Sequence, residues 1–523
     1  MGILLLLVWA ILAAAILRAQ LPRYSGEEQR LLQLGLILSI VFSVLHVLAV
    51  RHVLGGGDMF WYHRAGKELA ELWQTNPQKW TGELLKLTFR QEAHFPFWVH
   101  GAGSSTGAMF GVSAWIMLIS GKSLYAACAL LSILNFFARL LMYRIFRPLV
   151  VPQHRRLVLM GVMLMPSMIF WTAGLIKESV AMTGMGVAVA GAYYLAERSD
   201  FVRGVALIAL GGLTAYLVKP YILFPFFVAA PVWYLMARLR DDGRDMGVLM
   251  TPMRLLVFAG LLAVGLIGLT VLVPSLGVDT LSDELASVQA SGTTVRGATN
   301  YQLVSAETVA TRGRMAQVVM APFAFLFALT RPWPFEARSG QTLVAMVEIT
   351  AISLFLLRSI RQIGWMGWFR RIVARPWLMF CITYVVIFGT AVGLGSTNVG
   401  SLSRYRVPMM MFYGALVAVS YGWAYLPVRG DDGAEHGEAL AALHTAGGRR
   451  APRAVHRAAA QGARAAAATT HASFAAQRAA KQPVFRAGYG GRRAPLKVRR
   501  KTSSVTPRSN KKRLNVRQSS NRT

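Results

Sequence analysis

Asp58 follows Gly55-Gly56-Gly57 directly after a long apolar run, and a carboxylate so placed could accept a proton from an acceptor hydroxyl. Aspartate also suits the N-cap of the helix that should follow. Lys177 and Glu178 form a charged pair in a very short turn between two apolar runs, with little room to leave a membrane interface. Lys219, followed by Pro220, interrupts an apolar stretch from 203 to 237, where a lysine can also snorkel. Arg404-Tyr405-Arg406-Val407-Pro408 opens the last apolar run. Two guanidiniums there suit a phosphate, which arginine binds through parallel hydrogen bonds. Ionisable groups near membrane depth are costly, so each is a functional candidate. Together, a carboxylate, a second acidic residue and several cations match the needs of a reaction at a lipid-linked phosphate.

The elements that must hold these residues are apolar helices. Of 523 residues, 54% are hydrophobic and only 15% are charged, against nearly a quarter charged in ordinary soluble domains. A bilayer crossing needs about 17 to 25 apolar residues in helical form. Segments near 3–18, 31–53, 123–143, 157–174, 179–196, 203–219, 221–237, 254–274, 341–357, 376–396 and 407–427 meet that length. The expected fold is thus an all-α, polytopic transmembrane bundle of about eleven spans. Residues 107–120 and 316–330 are too short to cross comfortably and are assigned to interfacial or re-entrant helices on the outer face. Residues 54–122 carry Trp61, Tyr62, Leu69, Leu72 and Trp73 in an amphipathic pattern suited to lying flat at the headgroups. Segment 275–340 contains a flexible Ser/Thr/Gly-rich stretch, Ser291 to Asn300, and 397–406 is a short turn.

With this count, Arg18, Arg23, Arg30, Arg144, Arg147, Arg155, Arg156, Arg238, Arg240, Arg358, Arg361, Arg370, Arg371 and Arg375 share one side, which the positive-inside rule makes cytoplasmic. The expected location is a cell membrane, a bacterial inner membrane, with the N-terminus outside and the C-terminus in the cytoplasm. Met1 to Leu17 reads as a retained first helix, since no basic stretch precedes it. Cys128 and Cys381 lie inside apolar runs and imply no disulfide. The domains expected are a membrane domain, 1–427, and a disordered basic cytoplasmic tail, 428–523. The tail has 21 Lys and Arg against 4 Asp and Glu, about half of the chain's net charge of +33. Its expected contacts are anionic headgroups or an acidic partner, and it carries no nucleic-acid-binding motif.

Asp58 with Tyr62 after an early span, Phe110-Gly111 and Ile119-Ser120-Gly121 leading into the third, Pro166 in the span ending at Lys177-Glu178, and the Arg404 to Pro408 string resemble membrane glycosyltransferases of the GT-C fold, in the dolichyl-phosphate-mannose and aminoarabinose transferase group. The resemblance spans most of residues 31–427 as an order of elements. It implies a polyprenyl-phosphate sugar donor, with membrane lipids around it, and transfer to a lipid, glycan or protein acceptor at the outer face. By position it makes Asp58 the base and Glu178 the second acidic residue. Tyr62, His63, Lys177, Lys219, Arg404 and Arg406 become substrate-binding candidates. It requires no certain cofactor and leaves a divalent metal open; no metal-ligand set is assigned. The chain departs from the pattern in having Met59 after Asp58, Lys177-Glu178 in the second turn, and an extra span before Asp58. A polysaccharide polymerase acting on lipid-linked oligosaccharide, a lipid-linked sugar transporter or flippase, and a scaffold are the competing functions. No internal repeat supports a transporter.

Overall fold

In lipid these apolar runs can satisfy their own backbone polar groups only as helices. The computed structural model describes residues 2–53, 55–241, 303 and 315–426. Helices α1 (Gly2–Gln20) and α2 (Gly26–His52) come first, the second started by Ser25, whose hydroxyl and Glu28 form a capping box. Then α3 (Asp58–Thr75), α4 (Pro77–Thr88) and α5 (Ser105–Ile119) form a cluster ahead of α6 (Leu124–Phe146). Two short helices, α7 (Arg155–Met163) and α8 (Pro166–Trp171), precede α9 (Lys177–Arg198), α10 (Phe201–Val218) and α11 (Leu223–Asp241). The last group is α12 (Met315–Thr330), α13 (Gly340–Ile363), α14 (Trp365–Val373), α15 (Pro376–Gly395), α16 (Val399–Tyr405) and α17 (Val407–Tyr425).

Among the described residues, nine helices are long and apolar enough to cross a membrane: α1, α2, α6, α9, α10, α11, α13, α15 and α17. The expected span at 254–274, the stretch 291–300 and the tail from 428 lie outside the described residues. The span expected at 157–174 is not one helix. Pro166 cannot continue the α7 hydrogen-bond ladder, so the chain leaves the helix at Leu164 and restarts as α8. Residues 172–176 are then irregular but buried, the one setting in which a membrane tolerates such backbone.

Burial separates inner from outer helices. In α17 every residue from Val407 to Ser420 is buried, which makes it the bundle's axis. Rows of exposed apolar side chains run along α1 (Ile3, Leu4, Leu7, Ile11), α10 (Val202, Val205, Leu210, Leu213) and α13 (Leu343, Val344, Val347, Leu354). Continuous apolar surface of this extent needs lipid to cover it, and the chain is a multi-helix membrane protein. The short helix α5 is mostly buried against α3 and α4, with Met109, Phe110, Ala114 and Met117 inaccessible. It is therefore packed into the protein along most of its length.

The two ends of the bundle differ in charge. Arg23, Arg144, Arg147 and Arg155 line one cleft. Arg156 pairs with Glu27, Arg358 donates to the Tyr425 hydroxyl, and Arg371 and Arg375 sit over Trp423. The clustering expected from sequence is thus present, at the end opposite Asp58.

Helices α9 and α10 approach backbone to backbone at two glycine pairs. A Cβ on Gly184 would lie 2.5 Å from the Gly211 carbonyl oxygen, and one on Gly191 would lie 2.6 Å from that of Gly204. Antiparallel pairing of 184 with 211 and 191 with 204 sets residue 178 opposite 217, so Lys219, just past the end of α10, reaches back to Glu178. Gly211→Val should push the helices apart and lower stability by about 1–3 kcal/mol, read as a fall in thermal unfolding temperature in detergent. Unchanged melting would mean that the contact is loose.

Candidate functional site

Three consecutive glycines end the α2 to α3 connection, with φ of 69° at Gly55, 117° at Gly56 and 150° at Gly57. Only glycine adopts this run without strain, and it delivers Asp58 as the first residue of α3, after the N-cap Gly57. The Asp58 carboxylate caps nothing; it accepts from Arg404 Nη2 at 2.9 Å. Helix α3 buries Met59, Tyr62, Gly66, Leu69 and Ala70 along one stripe. Tyr62 thereby packs edge-to-face on Phe110, 5.3 Å between centroids, and burial, reinforced by Asp58, raises its phenol pKa well above the ordinary value. His63 is turned one helical step away. Its Nε2 lies 3.3 Å from the Lys122 carbonyl oxygen, burial depresses its pKa, and it is not among the residues lining the cavity described below. The substrate-binding role expected for His63 is not supported, because the stripe that buries Tyr62 points its neighbour elsewhere.

Lys177 and Glu178 are not a solvated turn. They open α9, and Glu178 is fully buried. Lys219 Nζ donates to Glu178 Oε1 at 2.9 Å, while Arg404 donates through Nε to the same oxygen and through Nη2 to Oε2 at 3.0 Å. Two cations from separate parts of the chain therefore converge on one carboxylate. Burial opposes the charge on Lys219 and on Arg404, but Glu178 outweighs it and leaves both pKa values raised. Lys219 also lies over the rings of Tyr221 (5.5 Å) and Tyr405 (5.3 Å), and Arg404 over Trp171 (5.6 Å), contacts that favour a cation.

Residues 397–406 hold a helix, not only a turn. Asn398 caps α16, its side-chain oxygen accepting from the Ser401 amide at 2.7 Å, and the chain restarts as α17 at Val407. Arg404 and Arg406, two residues apart, consequently point in different directions. Arg406 is fully buried and donates to the carbonyls of Arg331 and Ala345, the latter at 3.1 Å. It ties α12 and α13 to the start of α17 and is absent from the cavity wall, so its assignment to phosphate binding is corrected to a structural one.

A cavity of about 770 Å³ opens beside this cluster. One part of its wall is polar, with Asp58, Lys177, Arg404, Ser105, Thr106 and His100. The other is apolar, contributed by Val218 and Phe224 from the α10 and α11 hairpin, Val318 from α12, and Ile387, Ala391 and Leu394 from α15. Lys177 Nζ is within 3.1 Å of Ser105 Oγ and 3.0 Å of Thr106 Oγ1. Lys219 contributes to the wall, whereas Glu178 stays behind it. The cluster thus brings together Asp58, Tyr62, Lys177, Lys219 and Arg404 as expected, and leaves out His63 and Arg406. Among the described residues no group of three or more His, Cys, Asp or Glu is placed to hold a metal ion.

Sequence reasoning overlooked Ser105, Thr106 and Trp171. The Ser104-Ser105-Thr106-Gly107 run was a visible signal, since Ser104 caps α5 and such residues favour helix starts. Ionisable or polar residues within spans were a second signal. His46 in α2 is buried with Nδ1 2.8 Å from the Phe170 carbonyl oxygen, which fixes the end of α8 that carries Trp171.

Removing the Glu178 charge should leave two cations in a buried site without their partner, a change that typically costs about 3–5 kcal/mol. Glu178→Gln should therefore melt well below the parent, and Glu178→Gln combined with Lys219→Met should recover part of the loss. A single variant as stable as the parent would show that the cluster does not hold the fold. Comparison of the chain with family models, curated proteins and solved structures returned no match.

Proposed function

We propose that this protein is a membrane glycosyltransferase that moves a sugar from a polyprenyl-phosphate donor to a hydroxyl of a lipid, glycan or protein acceptor. The observation that carries the reading is the two-sided cavity: an apolar wall that fits a polyprenyl chain, beside a polar wall that carries one carboxylate, Asp58, and the cations Lys177 and Arg404. A lipid-linked phosphate has that same division of character. In the reaction, the acceptor oxygen bonds to the anomeric carbon as the bond from that carbon to the phosphate oxygen breaks. Asp58 takes the acceptor proton, and the polyprenyl phosphate leaves with the bonding electron pair. Arg404 and Lys177 stabilise the charge that grows on the phosphate. Glu178 and Lys219 position Arg404 and do not touch the reacting atoms.

General-base catalysis typically contributes about 10²–10⁴-fold. Asp58→Asn should accordingly slow transfer from a labelled polyprenyl-phosphate sugar in proteoliposomes by at least about 100-fold while melting like the parent. Equal rates would remove Asp58 as the base. A ladder of products in place of single additions would favour the polymerase reading.

The proposal places Asp58 on the outer face, on the basis of the arginine-rich opposite end and the positive-inside rule. Cys128 and Cys381 are buried and give a silent background for thiol labelling. Trp98→Cys, at an exposed position whose ring now contacts His100 of the cavity wall, should react with an impermeant maleimide in intact cells. Arg156→Cys, at the basic end, should react only after permeabilisation. The reverse pattern would invert the topology and place the cavity in the cytoplasm.

A further inference from the structure

A second cleft, of about 930 Å³, lies at the opposite end of the bundle. Six arginines line it, Arg23, Arg144, Arg147, Arg155, Arg198 and Arg203, against a single lining carboxylate, Asp200. They arrive from four places: the turn after α1, the end of α6, the start of α7, and the connection between α9 and α10. Cations near the last turns of α6 and α9 are what the helix dipoles alone would favour, and Arg144 and Arg198 fit that account. It does not explain convergence from the other elements.

Part of this charge is already engaged. Arg147 pairs with Glu28 at 2.7 Å, Arg155 donates to the Arg147 carbonyl at 3.3 Å, and Arg203 is 3.6 Å from Asp200. Arg23 and Arg144, by contrast, are exposed and make no hydrogen bond or ion pair with any described residue. Beside them, Phe201 and Val202 line the cleft while 72% and 78% exposed. Uncommitted guanidiniums next to bare apolar side chains, at the end of membrane helices, form a surface with the two-part character of a lipid headgroup region.

We propose that this cleft binds the phosphate of an anionic phospholipid headgroup. Arg23 and Arg144 meet the phosphate oxygens by charge-assisted hydrogen bonds, and Phe201 and Val202 rest against the acyl chains. Basic recesses between membrane helices are suited to such headgroups. The site is separate from the cavity at Asp58 and does not depend on the reaction proposed there.

Native mass spectrometry of the full chain in detergent, titrated with phosphatidylglycerol or with phosphatidylcholine of the same acyl chains, tests it. Phosphatidylglycerol should be retained as a saturable adduct and phosphatidylcholine should not. Arg23→Gln with Arg144→Gln should weaken retention by at least about tenfold, with melting unchanged because neither side chain holds the fold; Arg23→Gln alone should give a smaller loss in the same direction. Arg361→Gln with Arg370→Gln, exposed at the same end but outside the cleft, should leave retention intact. Retention unaffected by the first pair, or reduced equally by the second, would overturn the site in favour of diffuse attraction. Displacement of the lipid by glycerol 3-phosphate at equal concentration would overturn the lipid assignment and identify a site for soluble phosphates.

Discussion

Glu178 has no exposed surface, and an ionised carboxylate in that position is tolerable only while cations stay beside it. Lys219 and Arg404 meet that need from two other parts of the chain. Much of the bundle can be understood as what keeps them there. The glycine contact between α9 and α10 sets the register that brings Lys219 to Glu178. The Asn398 cap starts the short helix that presents Arg404. Arg406, two residues on, anchors the base of that helix to the carbonyls of Arg331 and Ala345. Shifting any one of these moves a cation away from a carboxylate that has no water to replace it.

The same economy of charge appears inside the spans. Arg139 in α6 is almost fully buried and donates to the Met163 carbonyl at 2.7 Å and to Ser39 Oγ at 3.0 Å. It holds α2 and α6 to the broken end of α7, where Pro166 has interrupted the helical ladder. Glu348 in α13 accepts from the Ser167 amide at 3.1 Å, on the other side of that break. Two polar side chains from neighbouring helices thus take over backbone partners that a continuous helix would have supplied itself, and the break at Pro166 survives at depth because of them.

These arrangements divide cleanly into what sequence could and could not reveal. Long apolar runs have one viable form in lipid, so α2, α6, α9, α10, α11, α13, α15 and α17 were legible from composition and length. Gly55-Gly56-Gly57 and the charges at 58, 177, 178, 219 and 404 were legible as exceptions within that background. The break at Pro166 was not, because an apolar run conceals whether neighbouring side chains will satisfy the freed backbone groups. Nor was the separation of Arg404 from Arg406, which depends on α16 being a helix of its own. His63 failed for the same kind of reason: adjacent helical residues face different ways, and only the stripe buried by α5 decides which of Tyr62 and His63 turns inward. Pairings such as Lys219 with Glu178 belong to tertiary packing and have no local signature.

Arg404 is shared between two carboxylates, and this has a chemical consequence for the proposed reaction. Its Nη2 serves Asp58 at 2.9 Å and Glu178 at 3.0 Å together. While that contact lasts, an oxygen of Asp58 is occupied by Arg404 and is not free to accept from an acceptor hydroxyl. Glu178 is buried and held by two cations, whereas the Asp58 side chain is 54% exposed. Of the two contacts, the exposed one is the weaker, since water screens it and can replace it. A phosphate of the proposed donor, entering the polar wall, would compete for Arg404 and draw Nη2 from Asp58 before it disturbed Glu178. In the reaction proposed above, donor binding would then both engage the cation that stabilises the leaving group and free the carboxylate that takes the acceptor proton. With no donor in place Asp58 stays paired, so in the proposed reaction an acceptor hydroxyl that arrives first meets an occupied carboxylate.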